Sequence, residues 1–114
     1  MKAAFSVKEN YEFRRIYRKG KSAVGSGLVV YCQKNRQGLT RLGVTVSTKL
    51  GKAVVRNRVR RRIREIYRLN KPLMKPGWDV IIVARVKAVN MEYRKLNQAY
   101  LRLLEQVGLL ESKE

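Results

Sequence analysis

The spacing of apolar residues along the chain changes several times, and each change marks an element. Phe13, Ile16 and Tyr17 fall at i, i+3 and i+4, a spacing that puts three side chains on one face of a helix. That helix is predicted over about residues 7–18. Two starts fit it: Ser6 and Glu9 as a capping box, or Asn10 as the cap. Gly20 closes it. The period then shortens to two. Residues 28–33, LVVYCQ, are rich in β-formers. Residues 41–47, RLGVTVS, alternate and place Leu42, Val44 and Val46 on one side. The polar run 34–38 between them reads as a turn, so the two strands predict an antiparallel hairpin. Residues 21–24 are a candidate short edge piece.

Helical spacing returns at about residues 52–69, where Val55, Val59, Ile63, Ile66 and Tyr67 form an apolar stripe. Pro72 and Pro76-Gly77 stop it. DVIIVA, residues 79–84, is apolar without alternation, as in a strand buried on both faces and paired in parallel. A last helix is predicted over about residues 91–107, with Asn90 as cap and Gly108 beyond its end. Glu92 suits its first turn. Leu96, Tyr100, Leu103, Leu104 and Val107 make its core stripe. The order α-β-β-α-β-α predicts an α+β fold, a single mixed sheet with helices packed against it.

Composition sharpens this picture. At 114 residues and 45% hydrophobic, the chain fits one domain, residues 1–114, with a modest core. Its formal charge is +19, from 27 Lys and Arg against 8 acids. Such self-repulsion on a small body points to a polyanionic partner. There is no histidine, which removes the commonest general base and metal ligand. The acids are scattered among basic residues, without the convergent carboxylates that a metal-dependent protein nuclease needs. No catalytic and no metal-ligating residue is therefore assigned. Cys32 cannot form an internal disulfide and reads as a small buried hydrophobe. A lone cysteine suits a reducing compartment, and a cytoplasmic location is expected. The N-terminal apolar run is too short for a signal peptide, and no stretch reaches the roughly 20 apolar residues of a membrane span.

Residues 49–71 hold ten basic residues and one acid, Glu65. A helix stabilised by its own surface would mix signs for i,i+4 pairing. This one hardly does, so an external anion is the expected compensation. Arginine dominates, and the guanidinium plane both holds phosphate through paired hydrogen bonds and stacks on bases. Arg56, Arg60, Arg61, Arg64 and Arg68 fall mostly opposite the apolar stripe. Asn57 offers donor and acceptor in one amide; taken alone, a solvent-facing helix position is the ordinary explanation for it.

The run RLGVTVSTKLGKAVVRNRVRRRIRE, residues 41–65, resembles the signature of the bacterial ribonuclease P protein, in which a strand leads to a helix bearing an R-N-R motif, here Arg56, Asn57 and Arg58. FRRIYRKGKS at 13–22 and LVVY at 28–31 are similar to that family's first helix and first full strand. The resemblance covers about residues 6–108. It implies a protein cofactor of a catalytic RNA that removes 5′ leaders from precursor tRNA, with Mg²⁺ held mainly by RNA and substrate. It implies that Arg56, Asn57, Arg58, Arg60, Arg61, Arg64 and Arg68 bind the catalytic RNA. Phe13, Tyr17 and Tyr31 would line a cleft for the single-stranded leader, since bases stack on aromatic rings without demanding one sequence. Arg14, Ser47 and Lys49 would meet leader phosphates. A left-handed β-α-β crossover, against the strong right-handed preference, is likewise implied by the resemblance. The chain departs from the pattern at Gly25-Ser26, where an Asn-Arg pair is common, at Thr48, where Lys is common, and at Lys52, where Asn is frequent. Its N-terminal arm is short, with only Lys2 before Lys8.

Other readings fit the composition. A structural RNA-binding protein, for example of the ribosome, is set apart by the aromatic set Phe13, Tyr17 and Tyr31. A DNA-binding domain would use the arginine helix in a major groove, but strand-like runs flank that helix and no helix-turn-helix signal appears. The buried-strand pattern argues against a membrane-active peptide. An autonomous protein enzyme fits least.

Overall fold

The computed structural model describes residues 6–111; Lys2 and the N-terminal apolar run lie largely outside them. The chain forms α1 (Asn10–Lys19), β1 (Lys21–Val24), β2 (Leu28–Lys34), β3 (Arg41–Thr45), α2 (Ala53–Asn70), β4 (Trp78–Ala84) and α3 (Tyr93–Val107). Short 3-10 turns at Thr48–Leu50, Lys71–Leu73 and Val86–Asn90 join them. The expected α+β class and mixed sheet are present, and residues 21–24 are a true edge strand.

The strand order is β1-β2-β4-β3. The predicted hairpin of residues 28–33 with 41–47 does not form. β4 lies between those strands, antiparallel to β2, with Tyr31 opposite Ile81, and parallel to β3, with Gly43 opposite Ile81. The cause is the two-sided apolarity of β4. Val80, Ile81 and Ile82 are all fully buried, which only a central strand covered on both faces allows. The connection 35–40 crosses the end of β4, where the Asn35 N–H donates to the Gly77 carbonyl at 2.8 Å.

The sheet carries two unequal cores. On one face Leu28, Val30, Cys32, Val80 and Ile82 pack beneath Val59, Ile63 and Ile66 of α2 and Leu96, Tyr100, Leu103 and Leu104 of α3. Burial pushes the Cys32 thiol up to about 11, so it stays protonated and inert, as its sequence context suggested. On the other face a small cluster of Val7, Ile16 and Ile81, flanked by Phe13, Tyr31 and Val83, lies beneath α1.

Helix ends differ from expectation where tertiary contacts claim the chain. Val7 N–H donates to the Leu42 carbonyl at 3.0 Å, so residues 6–7 run extended along β3. α1 then starts only after Glu9, and the Glu12 carboxylate reaches back to the Glu9 N–H at 3.3 Å. Neither Ser6 nor Asn10 is the cap. Gly20 ends α1 in extended rather than left-handed backbone; a side chain there would meet the Ile16 and Cys32 carbonyls. Asn90 belongs to a 3-10 turn, and α3 begins at Tyr93 with Glu92 as N-cap.

Candidate nucleic-acid interface

The spacing of Phe13 and Tyr17 on α1 brings both rings over the sheet. Their centroids are 6.2 Å apart. Tyr31, half-buried on β2, meets Tyr17 edge-on at 4.7 Å and 74°. The Tyr17 hydroxyl lies 3.2 Å from Thr45 Oγ1 on β3. Tyr17 keeps 38% of its surface exposed, so the row is a platform and not only packing. Asn10, Phe13, Arg14, Tyr17 and Thr45 line an open concavity of about 320 Å³ here. Gly43 makes the close approach of α1 feasible, since a Cβ there would sit 2.8 Å from Phe13 Cζ.

A polar network holds the first turn of α1 to the sheet. Arg41 Nε and Nη2 donate to the two carboxylate oxygens of Asp79, each at 2.8 Å, and Arg41 Nη1 donates to Glu12 Oε2 at 3.0 Å. Asn35 Nδ2 adds a 2.8 Å bond to Asp79 Oδ1. Burial alone would raise the Asp79 carboxyl, but the hydrogen bonds from Arg41 and Asn35 outweigh it and hold the group below its usual range. Glu12 is likewise lowered: its own burial penalty is outweighed by Arg41 and the backbone N–H groups of residues 8 and 9.

α2 packs on the opposite face of the sheet, and its outer side is cationic. Asn57, Arg60, Arg61, Arg64, Glu65 and Arg68 line a groove of about 460 Å³. Within it Arg60 donates to Asn57 Oδ1 at 2.9 Å, and Arg68 pairs with Glu65 at 2.8 Å. Both pairs are exposed, where such bonds contribute little. Arg56 and Arg58 stand outside that groove. Arg56 Nε donates to the Gly51 carbonyl at 3.1 Å, and Arg58 Nη2 to the Val89 carbonyl at 3.4 Å. Arg62, half-buried, donates to the Met91 carbonyl at 2.8 Å and fastens α2 to the segment before α3. A third concavity, of about 570 Å³, lies beyond the C-terminal ends of β3 and β4 and gathers Ser26, Ser47, Lys49, Arg85 and Lys87.

Residues 1–108 match the family described as Ribonuclease P. The chain is 41% identical over 112 residues to the ribonuclease P protein component of Alkaliphilus oremlandii, covering 98% of each chain. It is 45% identical over 104 residues to that of Clostridium botulinum, covering 90% of this chain and 94% of the relative. The chain belongs to the ribonuclease P protein family. Solved ribonuclease P proteins share the fold. The Staphylococcus aureus protein superposes with a TM-score of 0.83 at 34% identity over 96% of this chain and all of that one. The Thermotoga maritima protein gives 0.81 at 31% identity, covering 90% and 96%.

Within this ribonuclease P fold, the sequence-predicted residues fall into three places. Phe13, Arg14, Tyr17 and Tyr31 come together. Asn57, Arg60, Arg61, Arg64 and Arg68 come together on the other side, with Arg56 and Arg58 at their N-terminal flank. Ser47 and Lys49 join neither group: Ser47, the N-cap of the 3-10 turn Thr48–Leu50, and Lys49 within that turn line the third concavity. Sequence reasoning missed Thr45, Arg85 and Lys87. Thr45 sits two residues after Gly43 and so shares its face of β3, a signal present in the strand periodicity. Arg85 and Lys87 follow a strand end, where only the fold shows what they face. Among the described residues no group of three His, Cys, Asp or Glu is placed to hold a metal ion, and no helix is long and apolar enough to cross a membrane.

Proposed function

We propose that this chain is the protein subunit of a ribonuclease P ribonucleoprotein and acts as a cofactor to its RNA in removing 5′ leaders from precursor tRNA. The observation that carries this reading is the pair of RNA-compatible surfaces on opposite faces of one sheet. The arginine side of α2 fits a highly charged, folded RNA: guanidinium groups hold phosphate through paired donors. Arg56, Asn57, Arg58, Arg60, Arg61, Arg64 and Arg68 are its proposed contacts with the catalytic RNA. The aromatic row Phe13, Tyr17 and Tyr31 fits a single strand of varied sequence, because every base has a π-face to stack. Arg14 borders that row. Ser47 and Lys49 are proposed to meet the leader backbone beyond the end of β3.

The chemistry belongs to the RNA in this reading. The half-buried carboxylate of Glu12 and the buried one of Asp79 are both taken up by Arg41, and the described acids form no cluster for Mg²⁺. Mg²⁺ is therefore assigned to RNA and substrate. The partners are ribonuclease P RNA and precursor tRNA, not DNA or membrane, and the place of work is the cytoplasm.

The test is leader cleavage at low Mg²⁺ by a bacterial ribonuclease P RNA, with and without this protein. Cleavage restored by the protein, and none from protein alone, is the expected result. No gain with several compatible RNAs would return the chain to the structural RNA-binding class. In the active complex, Phe13→Ala or Tyr17→Ala should weaken precursor tRNA binding by roughly 1–3 kcal/mol per stack removed and leave mature tRNA unchanged.

A further inference from the structure

We infer that Arg41, acting through Glu12, is a positioning residue for the leader cleft, setting where Phe13 and Tyr17 stand over the sheet without itself touching RNA. The inference rests on the leader-binding reading above and adds what holds that cleft in shape. α1 has little apolar footing: Ile16 is its one buried residue, against Val7 and Ile81. The polar side-chain tie between its first turn and the sheet is a single guanidinium that spans three elements. Its Nε–Nη2 edge closes on Asp79 of β4 and its Nη1 on Glu12 of α1, while its own backbone belongs to β3. Glu12 and Arg41 are 14% and 13% exposed at their side chains, and Asp79 2%. Arg41 is thus nearly enclosed and has carboxylate oxygens on Nε, Nη1 and Nη2, unlike the cations on α2. Phe13 follows Glu12 directly and rests on Gly43, two residues beyond Arg41 on the same face of β3. A shift of the Glu12 turn therefore moves the ring that begins the aromatic row. Lysine cannot replace this arrangement, because an ammonium is a point charge without the planar fork that reaches both carboxylates.

Charge and position predict opposite signs for one substitution. Glu12→Gln removes a negative charge next to the cleft, which on electrostatics alone tightens binding of a polyanion. If Glu12 positions the rings, the same substitution weakens leader binding. The experiment compares holoenzyme affinity for precursor tRNA and for the matching mature tRNA, using wild type, Glu12→Gln, Arg41→Lys, Phe13→Ala and the double variant Glu12→Gln with Phe13→Ala. We expect Glu12→Gln to weaken precursor binding about threefold to tenfold, a size usual for coupled neighbours. Mature tRNA and catalytic-RNA affinities should stay at wild type, and the effect should vanish in the Phe13→Ala background. Arg41→Lys should repeat the loss. If Arg41→Lys lowers the melting temperature, Glu12→Gln decides alone, since it leaves the Arg41–Asp79 pair in place. Tighter or unchanged precursor binding in Glu12→Gln, or an equal loss on mature tRNA, overturns the inference. A Phe13→Ala variant that binds precursor as wild type does would instead remove the leader cleft itself, and the positioning role with it.

Discussion

On one face of the sheet, α2 and α3 bury Val59, Ile63, Ile66, Leu96, Tyr100, Leu103 and Leu104 against all four strands. On the other, α1 buries Ile16 and is held by the Glu12–Arg41–Asp79 network. The first face is stabilised by apolar area, which is non-directional and insensitive to pH. The second depends on a few directional, charged bonds. The difference matches the tasks proposed for them. A rigid arginine helix needs a firm floor, whereas a cleft that accepts many leaders needs rings that are well placed yet partly exposed. Exposure forbids a large apolar core beneath α1, so polar bonds take over its anchoring.

The largest expected effect breaks the polar side of that contrast. Asp79→Ala leaves the Arg41 guanidinium enclosed without its bidentate partner. Removing one member of a buried pair typically costs about 3–5 kcal/mol, a large share of a small domain's stability. Urea unfolding should show it directly, and a cost under about 1 kcal/mol, the range of an exposed pair, would mean the network is ornamental. The same groups give a pH signature. Both Glu12 and Asp79 have carboxyls lowered from their ordinary values of 4.5 and 3.8. Their contribution is complete above those values and is lost as pH falls through the lowered ones. Acid should therefore loosen the α1 face before the α2–α3 core. Hydrogen exchange at the amides of residues 13–17, followed downward from about pH 5, checks the order; simultaneous loss across both faces would contradict it.

A smaller effect is expected on the arginine side, and it divides that helix in two. Arg61 and Arg64 line the open groove, whereas Arg62 is committed to the Met91 carbonyl. Arg61→Ala or Arg64→Ala should reduce the salt dependence of catalytic-RNA binding by about 0.7–0.9 in slope for each phosphate left without its cation. Arg62→Ala should leave the slope alone and lower stability. Arg56→Ala and Arg58→Ala test whether backbone-bonded arginines at the helix start still reach phosphate. Unchanged slopes in all four groove and flank variants would remove α2 from the RNA interface.

Local sequence carries some of this contrast and not the rest. The stripes of α2 and α3 were legible because helical periodicity is written in neighbouring residues, and Phe13 and Tyr17 paired for the same reason. The meeting of Tyr31 with Tyr17 follows from the sheet, not from spacing. The hairpin expectation failed because strand pairing is a global choice: DVIIVA shows a doubly buried strand, but not which neighbours flank it. Glu12, Arg41 and Asp79 looked scattered because their convergence needs α1, β3 and β4 assembled. Ser47 and Lys49 are assigned to leader phosphates by the family resemblance alone; that they stand apart from the aromatic row, at the 3-10 turn after β3, needs the assembled fold.

The smallest expected effect lies in the larger core and has the opposite sign. Tyr67 is 2% exposed on α2, and among the described residues its hydroxyl has no hydrogen-bond partner. Burial raises that hydroxyl to about 12. Tyr100, its neighbour in the same cluster, instead donates to Met74 Sδ at 3.3 Å. A buried hydroxyl without a partner carries a desolvation penalty, so Tyr67→Phe should be neutral or stabilising, by up to about 1 kcal/mol. Tyr100→Phe should be slightly destabilising, since it removes a bond that exists. Thermal unfolding of the two variants gives the comparison within one core. Destabilisation by Tyr67→Phe beyond that of Tyr100→Phe would mean that the Tyr67 hydroxyl has a partner in solution, most simply an ordered water, and that this face too relies on a polar bond.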